Sequence, residues 1–253
     1  MMTVQPSIPW LLAGADFPDL AQACARDSAA PGLLAAGGAL DTNTLIKAYA
    51  GGIFPWFSEG QPLLWWSPDP RMVLKANEFR LHHSFKKTLD KFQRSAHCEV
   101  KMDTAFEQVI NSCASQRASS QGTWILPEMI AAYLGMYQAG FAHSVETWID
   151  GELVGGLYCI AIGKAVFGES MFSRSPNASK TALAGLVAFC RAHNIQQIDC
   201  QQNTSHLASL GAREISRTIF VKQIVEGTQE PAPDWIFDKS FWQLLKKSKP
   251  IFK

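Results

Sequence analysis

Several marks of specialised protein classes are absent from the chain. It has six cysteines among 253 residues, none of them in a CxxC or other metal-ligand spacing, which argues against a disulfide framework and a zinc site. The formal net charge is only +1, so any contact with a nucleic acid must come from a local basic patch. No window approaches a membrane span, and the start lacks the regions of a secretory signal. We therefore expect a cytoplasmic globular protein.

The most informative stretch spans residues 153–211 and reads as strand, strand, helix, strand, helix. One of its strands carries Glu169, and a later one carries Asp199 and Gln201. Residues two apart share a face of a strand, so Asp199 and Gln201 are predicted to point the same way and Cys200 the other. A strand–helix–strand crossover makes the two strands parallel. Glu169 is therefore predicted to lie near Asp199 and Gln201, at the carboxyl ends where open sheets bind ligands.

Helical periodicity is clear in four segments outside this unit. Apolar spacing and flanking residues predict helices after Asp41, at about 83–94, at about 104–115 and from Pro127 to Gly140. The crossover helix within the unit is expected to be capped by Ser175, with Pro176 at its first position.

Three strands are predicted to form a meander before the crossover helix. The first two, at 143–149 and 152–162, are joined by Asp150-Gly151, a strong hairpin turn. Gly155-Gly156 within the second strand is predicted to form a bulge. Residues 213–226 are predicted to add one or two strands after the unit.

Residues 53–57 and 62–71 are rich in Trp, Phe and Pro, which predicts irregular structure. One interpretation is a rigid loop packed by its aromatics, and the pattern alone favours it because aromatic side chains usually pack. The other is a platform on which a base or ring stacks.

The helix at about 83–94 places Lys87 and Lys91 on one polar face, with His83 and Lys86 close by. Most charge runs are solvated faces, but this one equally fits a surface that contacts phosphates. Spacing leaves both interpretations open. No third ligand accompanies His82 and His83 at metal spacing, so no metal site is expected there.

The element order resembles that of the Gcn5-related N-acetyltransferases (GNAT), whose mixed sheet commonly binds acyl-coenzyme A. In that fold the pyrophosphate lies on a Gly-rich loop at the start of the crossover helix. Here the loop at 170–177 has no glycine and contains Pro176, which lacks an N–H. Coenzyme A is therefore not expected, and another acyl donor is needed.

Seven sequence blocks point to such a donor. They are GIFPWF at 52–57, WWSPDPR at 65–71, GTWI at 122–125, GESMFS at 168–173, NASK at 177–180, IDCQ at 198–201 and HLASLG at 206–211. Several of these blocks are individually distinctive, and their order matches that of the leucyl/phenylalanyl-tRNA–protein transferase family. The chain resembles this family over roughly residues 32–217. The resemblance implies transfer of Leu, Phe or Met from a charged tRNA to the α-amine of proteins that begin with Arg or Lys, marking them for degradation. It implies no metal and no diffusible cofactor.

The resemblance also implies roles for individual residues. Asp199 and Gln201 match the catalytic pair, with Glu169 beside the reacting groups. Asp199 can accept the ammonium proton directly or through Gln201, and Gln201 can orient the amine or the carbonyl. The structural alternatives are a capping carboxylate for Asp199 and an ion-pair partner for Glu169. Cys200 acting as a nucleophile with His206 is disfavoured, because strand cysteines usually pack.

The remaining site residues are assigned by the same motif matching. The 3′-terminal adenosine is expected at Trp56 and Trp124, the donor side chain at Leu157 and Met171, and the acceptor-stem phosphates at His83, Lys86, Lys87 and Lys91. Two departures from the family pattern are Cys159, where glycine is expected, and Ala39, where an acidic residue is expected.

The predicted organisation is α+β with two domains. Residues 1–72 are assigned to a small aromatic- and proline-rich domain, and residues 73–253 to a GNAT-like catalytic domain. A monomer is expected. Two other functions are weighed: a coenzyme-A-dependent N-acyltransferase, and a non-enzymatic module that binds RNA or basic peptide termini.

Overall fold

The computed structural model describes residues 8–118 and 125–246. Over these residues the chain forms two β-sheets. The first has the strand order β1-β2-β4-β3, with β1 at Trp10–Leu11, β2 at Leu33–Gly37, β3 at Phe54–Pro55 and β4 at Leu64–Trp66. The second contains β5 at Arg71–Lys75, β6 at Cys98–Met102, β7 at Ala142–Ile149, β8 at Glu152–Ile162, β9 at Ala165–Ser173, β10 at Gln197–Gln201 and β11 at Arg213–Ile215. Its order is β11-β5-β10-β9-β8-β7-β6.

Helices cover both faces of the second sheet: α1 at Thr42–Ala50, α2 at His83–Arg94, α3 at Phe106–Ala118, α4 at Pro127–Gln138, α5 at Ala178–Ala192, α6 at Ser205–Ser209, α7 at Arg217–Thr228 and α8 at Trp242–Lys246. Residues of β8 alternate between two buried cores, with Leu157 in one and Tyr158 in the other. The core on the Leu157 face is completed by α2, α5 and α8, and the core on the Tyr158 face by α1, α3, α4 and α7. The chain is therefore mixed α+β, as predicted.

The two sheets share a core. Buried residues of the first sheet, such as Phe54 and Trp65, belong to the same cluster as Val73 and Phe167 of the second. Strand β5 begins at Arg71, two residues before the predicted second domain starts at 73. The division into two domains stays a prediction.

The aromatic segments are more regular than predicted. Phe54 and Pro55 of β3 pair with Trp66 and Trp65 of β4. Proline is tolerated there because β3 is the edge strand of its sheet and needs no further donor on the open side. Trp65 is fully buried and donates to the Gly37 carbonyl at 2.9 Å. The prediction of irregular structure was wrong for these short pairings, whereas aromatic packing is confirmed.

Several local predictions are confirmed. Strands β9 and β10 run parallel, and the turn at Asp150-Gly151 joins β7 to β8. Helix α1 is capped by Asp41, which accepts from the Thr44 N–H at 2.9 Å. All six cysteines are free thiols. No helix within the described residues has the length and apolar character needed to cross a bilayer.

Other local predictions were wrong. Helix α5 begins at Ala178, with Asn177 in the left-handed region (φ 66°) as its N-cap, so neither Ser175 nor Pro176 takes the expected position. The bulge expected at Gly155-Gly156 falls one residue earlier, because the shift between Thr147 and Trp148 leaves Val154 without a partner on β7. Gly155 instead allows helix α5 to approach, since a Cβ there would lie 2.5 Å from the Cβ of Ala178.

Two further segments differ from their predictions. Residues 213–226 form only the short strand β11 before helix α7 begins at Arg217. Its buried residues Phe220 and Ile224 are four apart and lie on one helical face. Helix α3 starts at Phe106 and continues to Ala118, beyond the predicted end at about 115.

Candidate active site

The site forms where strands β9 and β10 separate. The two strands pair through Val166 with Ile198 and Phe167 with Asp199. A cavity of about 200 Å³ lies beyond this pairing, and both Glu169 and Gln201 reach it. The Gln201 side-chain amide donates to Glu169 Oε1 at 2.8 Å. The predicted approach of Glu169 and Gln201 at the carboxyl ends of parallel strands is confirmed.

A β-bulge occurs on each strand at this point. Tyr158 and Cys159 of β8 pair with Ser170 and Gly168, so Glu169 is the extra residue on β9. Asp199 and Gln201 pair with adjacent residues of β5, so Cys200 is the extra residue on β10. Bulges are common beside active sites because they redirect a side chain out of the regular pleat. Here they face Glu169 and Gln201 towards each other.

Asp199 lies behind this pair in a buried ion pair. Its carboxylate oxygens accept from Arg71 Nε at 2.8 Å and from an Arg71 terminal nitrogen at 2.6 Å, and both side chains are 0% exposed. The Arg71 guanidinium is also held 4.6 Å from the ring centres of Phe54 and Phe220. Such bidentate pairing fixes both groups. The Asp199 carboxylate is therefore held by Arg71 and is not a free base, although Asp199 is one of the residues that line the cavity.

Asp199 contacts Gln201 through the main chain. Its Oδ1 accepts from the Gln201 backbone N–H at 2.9 Å, while Gln201 adopts a left-handed φ of 61°. The predicted alternation of Asp199, Cys200 and Gln201 is interrupted by the bulge at Cys200, and all three residues line the same cavity. The link between Asp199 and Gln201 is a backbone contact and not a side-chain relay.

Glu169 is surrounded by buried hydroxyl groups. The Tyr49 hydroxyl on α1 lies 2.8 Å from Glu169 Oε1, and the Tyr133 hydroxyl on α4 lies 3.1 Å from Oε2. Burial raises the pKa of Glu169 to about 8; the tyrosine hydrogen bonds and the Arg71 charge oppose this rise, and the Asp199 charge adds to it. Glu169 is therefore largely a neutral acid at pH 7 in the free protein.

Apolar side chains line most of the cavity. Leu157 and Met171, which pair across β8 and β9, contribute to its wall, and their assignment to the donor side chain stays a prediction. Helices α5 and α6 and strand β10 supply further apolar residues: Leu183, Leu186, Ile198 and Leu207. An apolar pocket that ends on a few convergent polar groups is typical of a small-ligand site.

Cys200, which the sequence disfavours as a nucleophile, is also unsuited to that role in the structure. Burial raises the pKa of its thiol well above the ordinary value, so the reactive thiolate is scarce. His206 also lines the cavity, and its pKa is lowered by burial and by the charge of Lys180. The pair offers packing and not an activated thiolate.

Of the two tryptophans predicted to bind the adenosine, Trp56 lies within the described residues and Trp124 does not. Trp56 is 37% exposed and lies edge-on to Trp66, with ring centres 5.4 Å apart. Its carbonyl accepts from the Trp66 indole N–H at 2.6 Å, so a partly open ring sits on a fixed backbone. Trp124 lies outside the described residues, and its assignment stays a prediction.

The basic residues of helix α2 lie at the surface, near the helix that lines the cavity. His83, Lys86, Lys87 and Lys91 are all exposed. Phe85, Leu89 and Phe92 bury the opposite face of α2, as predicted. The His82 ring lies 2.8 Å from the Ser209 carbonyl at the end of α6, and the Arg80 N–H donates to the Leu210 carbonyl at 2.8 Å. The exposed basic face therefore begins beside the α6 wall of the site.

The start of helix α5 does not present an anion site. The N–H of Ala178 donates to the Ser175 carbonyl at 3.1 Å, and the N–H of Ser179 donates to the Ser173 hydroxyl at 3.3 Å. Two of the N–H groups that a pyrophosphate needs are therefore engaged within the chain.

Sequence reasoning missed three contributors to the site. These are Tyr49, Tyr133 and Arg71, of which only Arg71 belongs to a sequence motif, as the last residue of WWSPDPR at 65–71. A tyrosine on an apolar stripe gives no sign that its hydroxyl reaches a carboxylate 120 positions away. The one available signal was the charge of Arg71 at the start of an apolar strand, which requires a buried partner.

Comparison with known proteins identifies the family. Residues 73–225 match the profile described as leucyl/phenylalanyl-tRNA protein transferase, and residues 38–69 match the N-terminal domain of the same family. Proteins named leucyl/phenylalanyl-tRNA–protein transferase from Albidiferax ferrireducens and Polaromonas sp. are 60% and 58% identical, covering 97% and 96% of each chain. One from Burkholderia pseudomallei is 51% identical, covering 92% of this chain and 91% of that one.

Solved structures are much less similar. An aminoglycoside N-acetyltransferase in complex with CoA has a TM-score of 0.31 at 15% identity, covering 57% of this chain and 95% of its own. A conserved Staphylococcus epidermidis protein has a TM-score of 0.38 at 13% identity, covering 73% and 68%. Scores this low carry no argument about the fold. The sequence relatives and the two profiles are decisive, and the chain belongs to the leucyl/phenylalanyl-tRNA–protein transferase family.

Proposed function

We propose that this chain transfers leucine, phenylalanine or methionine from an aminoacyl-tRNA to the N-terminal α-amine of proteins that begin with Arg or Lys, marking them for degradation. It acts in the cytoplasm as a monomer and uses no metal or diffusible cofactor. The observation that carries the proposal is the apolar cavity between β9 and β10, which ends on the Glu169–Gln201 pair. An aminoacyl ester needs these two features, a pocket for its side chain and polar groups at its carbonyl.

The second sheet is proposed to be a GNAT-like scaffold with an altered donor site. Three antiparallel strands, a crossover helix and a parallel strand support this assignment. The first N–H groups of α5 are occupied within the chain, which favours a tRNA-borne acyl group over coenzyme A.

The proposed chemistry is aminolysis of an ester that is already activated. The donor side chain enters the pocket beside Leu157 and Met171, and the terminal adenosine stacks at Trp56 and Trp124. Gln201 and Glu169 are the groups that meet the ester and the incoming amine, and much of the rate comes from holding them together. Asp199 acts as a positioning residue, because its carboxylate binds Arg71 and the Gln201 backbone.

The pocket is expected to separate similar donors weakly. One methylene in an apolar pocket is worth about 1–3 kcal/mol, so Leu, Phe and Met are all accepted. The preference for an acceptor that begins with Arg or Lys is taken from the family resemblance, because Glu169 is largely neutral at pH 7 and the Asp199 charge is paired with Arg71.

A defined transfer assay tests the proposal. Labelled Leu-tRNA and a peptide beginning with Arg are expected to give a labelled, N-terminally extended peptide, whereas the same peptide with an acetylated N-terminus gives none. Labelled acetyl-CoA serves as the rival donor. Transfer from acetyl-CoA, or tRNA binding without transfer, would replace the proposed activity with one of the two alternatives.

The exposed lysines of α2 are expected to contact tRNA phosphates. Changing Lys87 and Lys91 to Ala together should weaken tRNA binding and reduce the salt dependence of log K by up to about two units, because each phosphate contact contributes about 0.7–0.9. Filter binding or anisotropy over a range of salt concentrations measures the slope. The matched control changes Lys47 and Lys222, exposed lysines on helices of the opposite sheet face. An equal effect in both double variants would mean that only net charge matters.

A further inference from the structure

Glu169, Tyr49 and Tyr133 form a closed ring of three oxygen contacts. Tyr49 and Tyr133 hydroxyl oxygens are 2.7 Å apart. The Tyr49 hydroxyl lies 2.8 Å from Glu169 Oε1, and the Tyr133 hydroxyl lies 3.1 Å from Oε2. Both tyrosines are fully buried. The ring brings together α1, α4 and β9, and its carboxyl group lies at the wall of the donor cavity.

Counting hydrogens shows which protonation state fits this ring. Three oxygen–oxygen contacts need three hydrogens, and the two tyrosine hydroxyls supply only two. The third hydrogen must come from the Glu169 carboxyl. The carboxyl then donates to one tyrosine hydroxyl, that hydroxyl donates to the second tyrosine, and the second tyrosine donates to the other carboxyl oxygen. Every contact is satisfied only when Glu169 is neutral. The Gln201 amide adds a fourth hydrogen bond from outside the ring.

The same residues also support the ionised state. When the carboxyl loses its proton, Tyr49 can donate to Oε1 and Tyr133 to Oε2, with Gln201 as a third donor. Passing between the two states requires only that one tyrosine hydroxyl turn from its neighbour to the carboxylate. The ring therefore holds a proton and accommodates the anion left after its release.

The charged groups around Glu169 do not fix it as an anion. From β10 it faces Asp199 and from β5 it faces Arg71, and these two opposite charges are paired with each other. From α1 and α4 it faces Tyr49 and Tyr133, whose pKa values are raised well above the ordinary value by burial and by the charge of Glu169. The tyrosines therefore keep their protons, and Glu169 is the titrating member of the ring.

We propose that the Glu169–Tyr49–Tyr133 ring is the proton store of the reaction, with Glu169 acting as a general acid towards the leaving ribose oxygen. This inference rests on the transfer activity proposed above and adds Tyr49 and Tyr133 as positioning residues.

The proton balance closes without any other reagent. The neutral acceptor amine forms the C–N bond at the ester carbonyl, and the C–O bond to the ribose breaks. The ribose oxygen takes the Glu169 proton as it leaves. The new amide nitrogen returns its surplus proton to the Glu169 carboxylate, which restores the neutral ring.

The protonation state can be measured without any turnover. In the free protein labelled with ¹³C-glutamate, the carboxyl signal absent from Glu169→Gln is expected to titrate near pH 8. In Tyr49→Phe its midpoint should move upward, because one donor to the carboxylate is lost. The control Tyr137→Phe removes a hydroxyl on the same helix as Tyr133 that donates to the Asp103 carbonyl, and it should leave the midpoint unchanged. A Glu169 signal that is ionised at pH 6 overturns the ring.

The acid role is measured by a ratio of rates. Glu169→Gln is expected to lower kcat/KM by about 10²-fold at pH 7, within the range for general acid catalysis, and the pH dependence of kcat/KM reports the groups of the free enzyme. Dividing the wild-type kcat/KM by that of Glu169→Gln at each pH cancels the titration of the acceptor amine. The ratio of the wild-type value to the Glu169→Gln value should fall as pH rises through about 8. When Tyr49→Phe is added to both proteins, the fall should occur at a higher pH.

The outcomes separate the two proposals. A ratio that rises with pH through the same region makes Glu169 a base, and a flat ratio removes it from proton transfer; either result overturns the acid role while transfer itself stands. A wild-type protein that transfers nothing overturns the proposed function, and the ¹³C titration then still decides whether the ring holds a proton.

Discussion

Changing Arg71 to Met is expected to lower the free energy of unfolding by about 3–5 kcal/mol, because it leaves the Asp199 carboxylate buried without its partner. Both side chains are 0% exposed, and the two bonds between them are 2.6 and 2.8 Å long. Met keeps an apolar stem between Phe54 and Phe220, so the loss comes from the charge more than from packing. Asp199→Asn should be similarly destabilised, since it leaves the Arg71 charge unpaired. Urea unfolding of both single variants measures the cost.

The double variant Arg71→Met with Asp199→Asn is expected to recover most of that stability. A buried ion pair replaced by well-packed apolar residues of similar volume is often no less stable than the original, and in this double variant the asparagine amide is the one introduced polar group that must still be satisfied. The double variant also separates two roles for Asp199 in catalysis. The introduced asparagine amide can still accept from the Gln201 N–H, as Asp199 Oδ1 does at 2.9 Å, but it cannot act as a base.

If Asp199 positions Gln201, the double variant should transfer within about tenfold of wild type, a difference worth about 1.4 kcal/mol. Asp199→Ala, which offers the Gln201 N–H no acceptor, should abolish transfer while tRNA affinity stays within a few-fold. Loss of transfer as complete in the well-folded double variant as in Asp199→Ala would restore the carboxylate to the role of general base.

Local chemistry predicted the frame of the site. The crossover rule placed β9 and β10 parallel, whereas the two-residue alternation expected along β10 is interrupted by the bulge at Cys200. Asp150-Gly151 and Asp41 carried turn and cap preferences that the fold obeys. These predictions succeeded because each depends on neighbours within a few residues.

Contacts between distant segments could not be predicted in this way. The bulge at Glu169 depends on the pairing of β8 with β9, and the ion pair joins positions 71 and 199. Of the one or two strands predicted at 213–226, one forms as β11, and helix α7 takes up the rest although its IFVKQIV segment is rich in β-branched and aromatic residues. Burial of Phe220 and Ile224 against the sheet overrides that preference. The tyrosine ring likewise exists only once α1 and α4 have packed on β9.

Changing Gln201 to Gly is expected to uncouple stability from activity. Gln201 holds a left-handed φ of 61°, which costs a residue with a side chain about 1–2 kcal/mol and glycine almost nothing. The variant loses the bond from the Gln201 amide to Glu169 Oε1, worth about 1 kcal/mol. Its free energy of unfolding should therefore be unchanged or higher by up to about 1 kcal/mol. Transfer should fall about 100-fold, because the amide that orients the reacting groups is gone.

The control is Asn194→Gly, which relieves another left-handed residue (φ 56°) at an exposed position outside the donor cavity. Asn194→Gly should leave transfer unchanged. This separates the effect of relieving a strained backbone from the effect of losing the Gln201 amide. Gln201→Asn keeps an amide and tolerates the left-handed region, but its side chain is one methylene shorter than the 2.8 Å contact to Glu169 requires. It should therefore lose transfer as Gln201→Gly does. If either Gln201 variant transferred within a few-fold of wild type while unfolding at the same urea concentration, the side-chain amide would have no part in the reaction, and the left-handed turn at position 201 would serve only to end strand β10.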